Sequence, residues 1–355
     1  MKKSRLEKLM ICFLLIGAFL NIVQAQDKPD SSTVNKIVEN WPARPRLAVQ
    51  EMMAKYGAPL EATSETMVWH NAGLYKRIMV TKMEVPHDFP KPHMDFLEHT
   101  VSYNVPTDKV SDLVAFDASM TINKTAGEMS ARCDLEGHNI LTLNLANDII
   151  KGKKSVEQAR KAFGEFVVAD VEGKHPSYVY KLQFEPQKNA AFADKPIIPG
   201  SPVRASDNMK ATGSDAEALA FVIAIDDNEV LAATAAENEK LSSKAMDYAK
   251  MIHLEHGKNL ADTAMLGQKI KVTPIDTKAV DDLRVKGAQE LSELIPLKDK
   301  DFENAYIKAT VKNHTEALSM IDQLLKTVDN EELKKHLTAT REHVAMHLDK
   351  AKTLR

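Results

Sequence analysis

Four long segments in the last third of the chain repeat apolar residues at steps of three and four, and this periodicity constrains the fold more than any other feature. The first follows Ser214, with Glu217 at capping-box spacing, and its inward row reads Ala218, Val222, Ile225, Glu229, Ala232, Ala236. The second runs from about 243 to 268, with Met246, Ala249, His253, His256 and Leu260 in its row. The third, about 301 to 327, aligns Ile307, Thr310, Val311, His314, Ala317, Leu318 and Ile321. The fourth starts at Asp329, with Glu332 three residues on, and reads Leu333, Leu337, Thr340, Val344, His347, Ala351; His336 and His343 lie close to the row. Short connections between segments of this length predict an antiparallel four-helix bundle over 214–355. The longer link between the second and third, bounded by Pro274 and Pro296, predicts a short extra helix from Val280, Leu283, Leu291 and Leu294.

Each row is interrupted by a polar side chain with metal-ligating or hydrogen-bonding chemistry. Glu229 is a lone carboxylate in an apolar row, which must ionise at a high desolvation cost or find a cation. With His256, His314 and His347 it forms a candidate site of one carboxylate and three imidazoles, suited to a divalent metal. Glu229, His256 and His314 lie at similar depths along their segments, and His347 is set deeper. The competing reading is structural: histidines that cap apolar layers or sit at the bundle ends.

The other end of the chain carries a different signal. Residues 1–25 have a basic start (Lys2, Lys3, Arg5, Lys8), an apolar run from Leu9 to Val23, and small residues before Gln26. That pattern predicts a secretory signal peptide, because the run is shorter than the roughly 20 residues a membrane span requires. Cys12 lies inside the apolar run rather than closing it, which argues against a lipoprotein anchor. Cleavage leaves one cysteine, Cys133, so no intramolecular disulfide can staple the mature chain. The whole chain carries −3; residues 1–25 hold four basic and one acidic side chain, which leaves the remainder near −6. There is no basic stripe with interleaved aromatics, so nucleic acid is excluded as a partner. No segment past residue 25 has the length and apolarity of a membrane span. The expected location is periplasmic or outer-membrane-associated.

Between leader and bundle the pattern mixes element types. Residues 26–40 read as a polar lead-in, 34–186 as an α+β domain, and 187–213 as a linker rich in Pro, Gly, Ser and Asn. A helix is expected at Arg46–Lys55, strands at 67–70, 75–83 and 100–105, and a hairpin from 116–122 and 128–133. Helices at 135–150 and 155–168 and a closing strand at 177–184 follow. From His87 to His99 three histidines and three carboxylates fall within thirteen residues, which makes His87, His93, Asp95 and His99 secondary candidates for a metal or acid–base site. Their spacing matches no familiar metal signature, and a surface loop feeding a strand at Thr100 is the simpler reading. Cys133 reads as a buried packing residue rather than a nucleophile. His70, after Trp69, reads as structural.

The stretches Asn228-Glu229-Val230-Leu231-Ala232, Met251-Ile252-His253-Leu254-Glu255-His256, Asp301 to Ile307, Lys312-Asn313-His314 and His347-Leu348 with Ala351 resemble a bacterial exported, ferritin-like domain of unknown function, often labelled an outer-membrane protein. The resemblance covers about 214–355 and implies a four-helix bundle in the cell envelope, with Glu229, His256, Tyr306, His314 and His347 as its polar positions; it implies no established reaction. One departure counts against a di-iron centre. Those centres use Glu-x-x-His pairs, and here the residues three before His253, His256, His314, His336, His343 and His347 are Lys250, His253, Val311, Leu333, Thr340 and Val344. An imidazole-rich set suits Zn or Cu better. Two functions remain open: a non-catalytic binding or envelope-associated module, and a metal-binding bundle with a redox or hydrolytic role.

Overall fold

The computed structural model describes residues 29–191, 194–205 and 214–354. The expected leader and Cys12 lie outside the described residues, as do residues 192–193 and 206–213 of the expected linker. The chain divides into two compact units, 1–194 and 195–355.

The first unit is a β-sheet with helices. Helix α1 (Ser31–Val38) begins inside the expected lead-in, where Asp30 accepts a hydrogen bond from the Thr33 amide and Val34 and Val38 bury into the core. Helix α2 (Ala43–Tyr56) follows. Strands β1 (Glu61–Ala62), β2 (Thr66–Ala72), β3 (Tyr75–His87), β4 (His93–Ser102), β5 (Thr121–Asn123) and β6 (Glu128–Cys133) form an antiparallel sheet in the order β1-β2-β3-β4-β6-β5. Between β4 and β5 lies helix α3 (Val110–Phe116); after β6 come α4 (Glu136–Ile150), α5 (Val156–Val171) and the single turn α6 (Ser177–Tyr180). Helix α4 is buried from Asn139 to Ile149 and packs on β4 and β6, with Asn139 Nδ2 donating to the Leu97 carbonyl at 2.8 Å.

Three expectations are corrected here. In the stretch His87–His99 the loop is confined to residues 88–92: β3 runs to His87, which pairs with His93, and residues 93–99 belong to β4, which continues to Ser102. Ladder hydrogen bonds hold this polar run extended in spite of its composition. Phe116 ends a helix instead of opening a strand, and Asp117 stops it by accepting from the Ser119 amide at 2.9 Å. The closing strand at 177–184 is a helical turn and loop. The Asn144 side chain donates to the Tyr178 and Lys181 carbonyls and accepts from the Gln183 amide, which satisfies backbone that a ladder would otherwise pair.

The second unit is helical: α7 (Asp215–Glu237), α8 (Ser243–Lys269), α9 (Lys278–Leu294), α10 (Asp299–Thr327) and α11 (Glu331–Lys352). Ser214 accepts from the Glu217 amide, as expected for a cap, while the Glu217 carboxylate accepts from Thr277 Oγ1 at 2.7 Å. The cap of α11 is Asn330 rather than Asp329, accepting from the amides of Glu332 and Leu333. Residues 203–204 of the expected linker form strand β7 (Val203–Arg204), paired parallel with β8 (Ile275–Asp276) within the helical unit. Side-chain contacts fix antiparallel pairs: Glu237–His253 and Asp226–Asn259 between α7 and α8, and Thr263–His336, Asn259–Thr340 and His256–His347 between α8 and α11. No described helix is long and apolar enough to cross a membrane.

At the start of α4, Glu136 contacts Lys55, Tyr56 and, at 3.5 Å, His99. Burial opposes its ionisation, but His99, Lys55 and Tyr56 overcome this and hold the carboxyl down at about 2. The unfolded chain therefore binds more protons between pH 4.5 and 2, and the stability from this contact is lost as pH falls through that window. Glu136→Gln is expected to lower the urea midpoint at pH 7 and to narrow its gap from wild type at pH 3. An equal gap at both pH values refutes the linkage.

Candidate histidine–carboxylate site

Of the three apolar clusters in the helical unit, two are large. One gathers Leu219, Val222, Ile321, Leu324, Leu333, Leu337 and Val344; the other Ala233, Tyr248, Ile252, Phe302, Tyr306 and Ile307. In sequence, a polar set falls between them on α7, α8, α10 and α11: Asp226, Glu229, His256, Thr310, His314 and His347, each at most 5% exposed.

The histidine tautomers follow from what each ring faces. His256 Nδ1 lies 2.8 Å from Asp226 Oδ1, His314 Nδ1 lies 3.0 Å from the Thr310 carbonyl, and His347 Nε2 lies 2.8 Å from Glu255 Oε2. Carboxylates and carbonyls accept, so each of these nitrogens carries the hydrogen. With His256 neutral, the opposite nitrogens present lone pairs to one another: His256 Nε2 is 3.4 Å from His314 Nε2 and 3.2 Å from His347 Nδ1. A tetrahedral site with metal–nitrogen bonds of about 2.0 Å spaces its nitrogens about 3.3 Å apart. One donor atom from each of the three histidines lies within 4.8 Å of the others. Outward N–H groups bound to carboxylates or carbonyls are the supporting shell that orients metal-binding imidazoles.

Burial keeps two of the rings neutral. Burial, with His256 and His347 adding to it, drives the His314 imidazole well below its ordinary range. Burial also lowers His347, to about 4 against the pull of Glu255. For His256 burial pulls down, but Asp226, Glu229 and Glu255 outweigh it and raise the ring. Burial raises Asp226 in turn, opposed by His256 and Asn259. Both directions mean that the Asp226–His256 pair retains its proton in the metal-free protein.

The expected set is only partly gathered around one centre. His256, His314 and His347 meet. Glu229 stands 3.6 Å from His314 Nδ1, the nitrogen already committed to Thr310, and so faces the back of that ring. It lines a cavity of about 280 Å³ with Asn228, Glu290 and Asn313, among residues of α7, α9 and α10. Tyr306 belongs to an apolar cluster, stacked on Phe302, and its hydroxyl has no hydrogen-bond partner. Asp226 and Glu255 were not anticipated. Asp226 ends an unbroken apolar run, Ala218–Ile225, and is fully buried, so the signal that could have found it was a carboxylate at that edge. Asn259 also escaped notice; it donates to Asp226 Oδ2 at 2.8 Å and accepts from Thr340 at 3.0 Å.

In the first unit, His87, His93 and Asp95 come together and His99 does not. His99 is fully buried against Tyr75, accepts from Asn139 Nδ2 and sits beside Glu136. His70 pairs with Glu61 at 2.6 Å across the sheet edge. Cys133 is buried, and burial together with Asp134 raises its thiol well above the ordinary range, the opposite of an activated nucleophile.

Residues 200–354 match a family described as a domain of unknown function, DUF4142. That is less than half of the chain. No curated protein matches the chain, and no solved structure does. The family description names neither an activity nor a ligand.

Glu229 generates a pH prediction. Its burial raises the carboxyl to about 7. The folded state therefore holds this proton between pH 4.5 and 7 where the unfolded chain releases it, and stability falls as pH rises through that window. Glu229→Gln in chelator-treated protein is expected to stabilise the fold by up to about 3 kcal/mol at pH 8 and by nothing below pH 4.5. Denaturant midpoints of variant and wild type at the same pH check it, since the opposite slope from His347 then cancels.

Proposed function

We propose that the helical half is a ferritin-like four-helix bundle of an exported cell-envelope protein, and that it works as a non-catalytic binding module for one divalent metal ion, Zn or Cu, held by His256, His314 and His347. The observation that carries this is the convergence of three imidazole lone pairs, each with its other nitrogen engaged outward. Uncompensated lone pairs facing one another in a buried layer are costly, and a cation at their centre removes the cost. The family description adds nothing to the metal; that part rests on geometry. The antiparallel packing of α7 with α8 and of α8 with α11 supports the bundle. The basic start and short apolar run of residues 1–25 support export.

A di-iron centre does not fit. Asp226 and Glu255 accept from the outward N–H groups of His256 and His347 instead of bridging an inner site. Imidazole as the main donor suits Zn or Cu.

One observation favours a second reading. With its pKa raised by Asp226 and Glu229, His256 carries a proton that can bridge toward His314 and His347. The cluster is then a structural polar layer held by a proton, and it binds no metal. Elemental analysis of protein purified from the envelope fraction separates the two. His314→Ala is expected to hold one equivalent of Zn or Cu per chain less than wild type, with Asp226→Asn weakening the affinity at the helical site roughly 10- to 100-fold. Metal-free wild type that takes up no more Zn or Cu on titration than His314→Ala supports the proton-held layer. For export, the intact mass of the mature protein is expected to begin at Gln26; a mass that retains residues 1–25 refutes it.

A further inference from the structure

We propose a second metal site in the first unit: one transition-metal cation bound by His93 Nε2, the Cys133 thiolate and the Asp134 carboxylate. The neighbouring strands β4 and β6 carry the first two residues, His93 at the start of β4 and Cys133 at the end of β6 opposite Leu97, and Asp134 follows β6 directly. Cys133 Sγ lies 3.2 Å from His93 Nε2 and 3.3 Å from Asp134 Oδ1, and one donor atom from each of the three lies within 4.8 Å of the others. His138, on the first turn of α4, stands 3.6 Å from Sγ through Nδ1, within reach of a fourth position. Tetrahedral sites built from Zn–S bonds of about 2.3 Å and Zn–N bonds of about 2.0 Å place sulfur and nitrogen about 3.5 Å apart. His93 Nδ1 lies 2.8 Å from the Lys91 carbonyl and donates to it, which leaves Nε2 as a ligand atom.

A second observation points to a cation at that nitrogen. Asp95 is 4% exposed, and its Oδ1 lies 3.1 Å from His93 Nε2, yet it has no hydrogen-bond partner; nor has His87 Nδ1, 3.2 Å from the other oxygen of Asp95. Buried polar atoms this close and still out of line for a hydrogen bond are rare in packed interiors. They are expected of donors ranged around an ion. His87, His93 and Asp95 form an overlapping three-donor group. One imidazole nitrogen serves one ion, so the two groups share a single cation, with His87 and Asp95 beside it. The mixed sulfur, nitrogen and oxygen set suits Zn, with Co as a spectroscopic stand-in. Binding releases the thiol proton to solvent and requires no oxidant or reductant.

Cobalt(II) alone tests this, titrated into full-length mature protein stripped of metal and carrying His314→Ala to disable the helical cluster. A thiolate-to-cobalt charge-transfer band in the near ultraviolet is expected to saturate at one equivalent, and Zn(II) to bleach it. Cys133 is the one cysteine after residue 25, so the band reports this site whatever the fate of the helical one. Cys133→Ser is expected to abolish the band, and His93→Gln to weaken binding at least about tenfold. Circular dichroism melts confirm that each variant is folded; if Cys133→Ser does not fold, His93→Gln carries the test. Cobalt bound without a thiolate band, no binding in the His314→Ala background, or undiminished binding in His93→Gln would overturn the proposal.

Discussion

The helical unit depends on one arrangement: three buried imidazoles whose free nitrogens face each other while their N–H groups are tied to Asp226, the Thr310 carbonyl and Glu255. A polar layer of this kind tolerates little slippage. A shift of one turn along α8 or α11 would part His256 from Asp226, or His347 from Glu255, and leave a buried donor or acceptor unpaired at a cost of about 1–3 kcal/mol each. Apolar contacts alone would not impose that register, because one Leu or Ala layer substitutes readily for the next.

Glu229 and Asp226 show how position decides what a carboxylate does. Both lie on α7 within one turn, and both are buried. Asp226 has two donors, His256 and Asn259, and acts as the outward anchor of a ring. Glu229 faces the back of His314 and the cavity beside α9, and burial keeps its proton on to about pH 7. One holds geometry; the other is a titratable group at the edge of the site.

The first unit uses related chemistry on a sheet. Amide side chains of α4 tie down backbone elsewhere in the unit: Asn139 donates to the Leu97 carbonyl and Asn144 holds the segment after α5. His93, like His314, gives its Nδ1 hydrogen to a backbone carbonyl and turns Nε2 toward other donors. The hydrogen bond made by one ring nitrogen thus decides the chemistry left to the other.

The helices of residues 215–352 were legible because their periodicity and the caps at Ser214 and near Asn330 are local properties that act over a few residues. His256, His314 and His347 were legible for the same reason: each interrupts an apolar row. Asp226 stood outside the row chosen for α7, and Glu255 beside the row of α8, so their roles as anchors were not. Helix α1, the strand course of residues 93–99 and the turn at Ser177–Tyr180 were misread because their partners are distant in sequence: the core that takes Val34 and Val38, the ladder from β3, and the side chain of Asn144. The sequence by itself determined where helices form and which of their faces are apolar, since both follow from spacing along one segment. Only the tertiary structure decided which nitrogens meet, which carboxylates support them, and that Cys133 stands beside His93, because those contacts join residues thirty to ninety-two positions apart and depend on how separate elements pack.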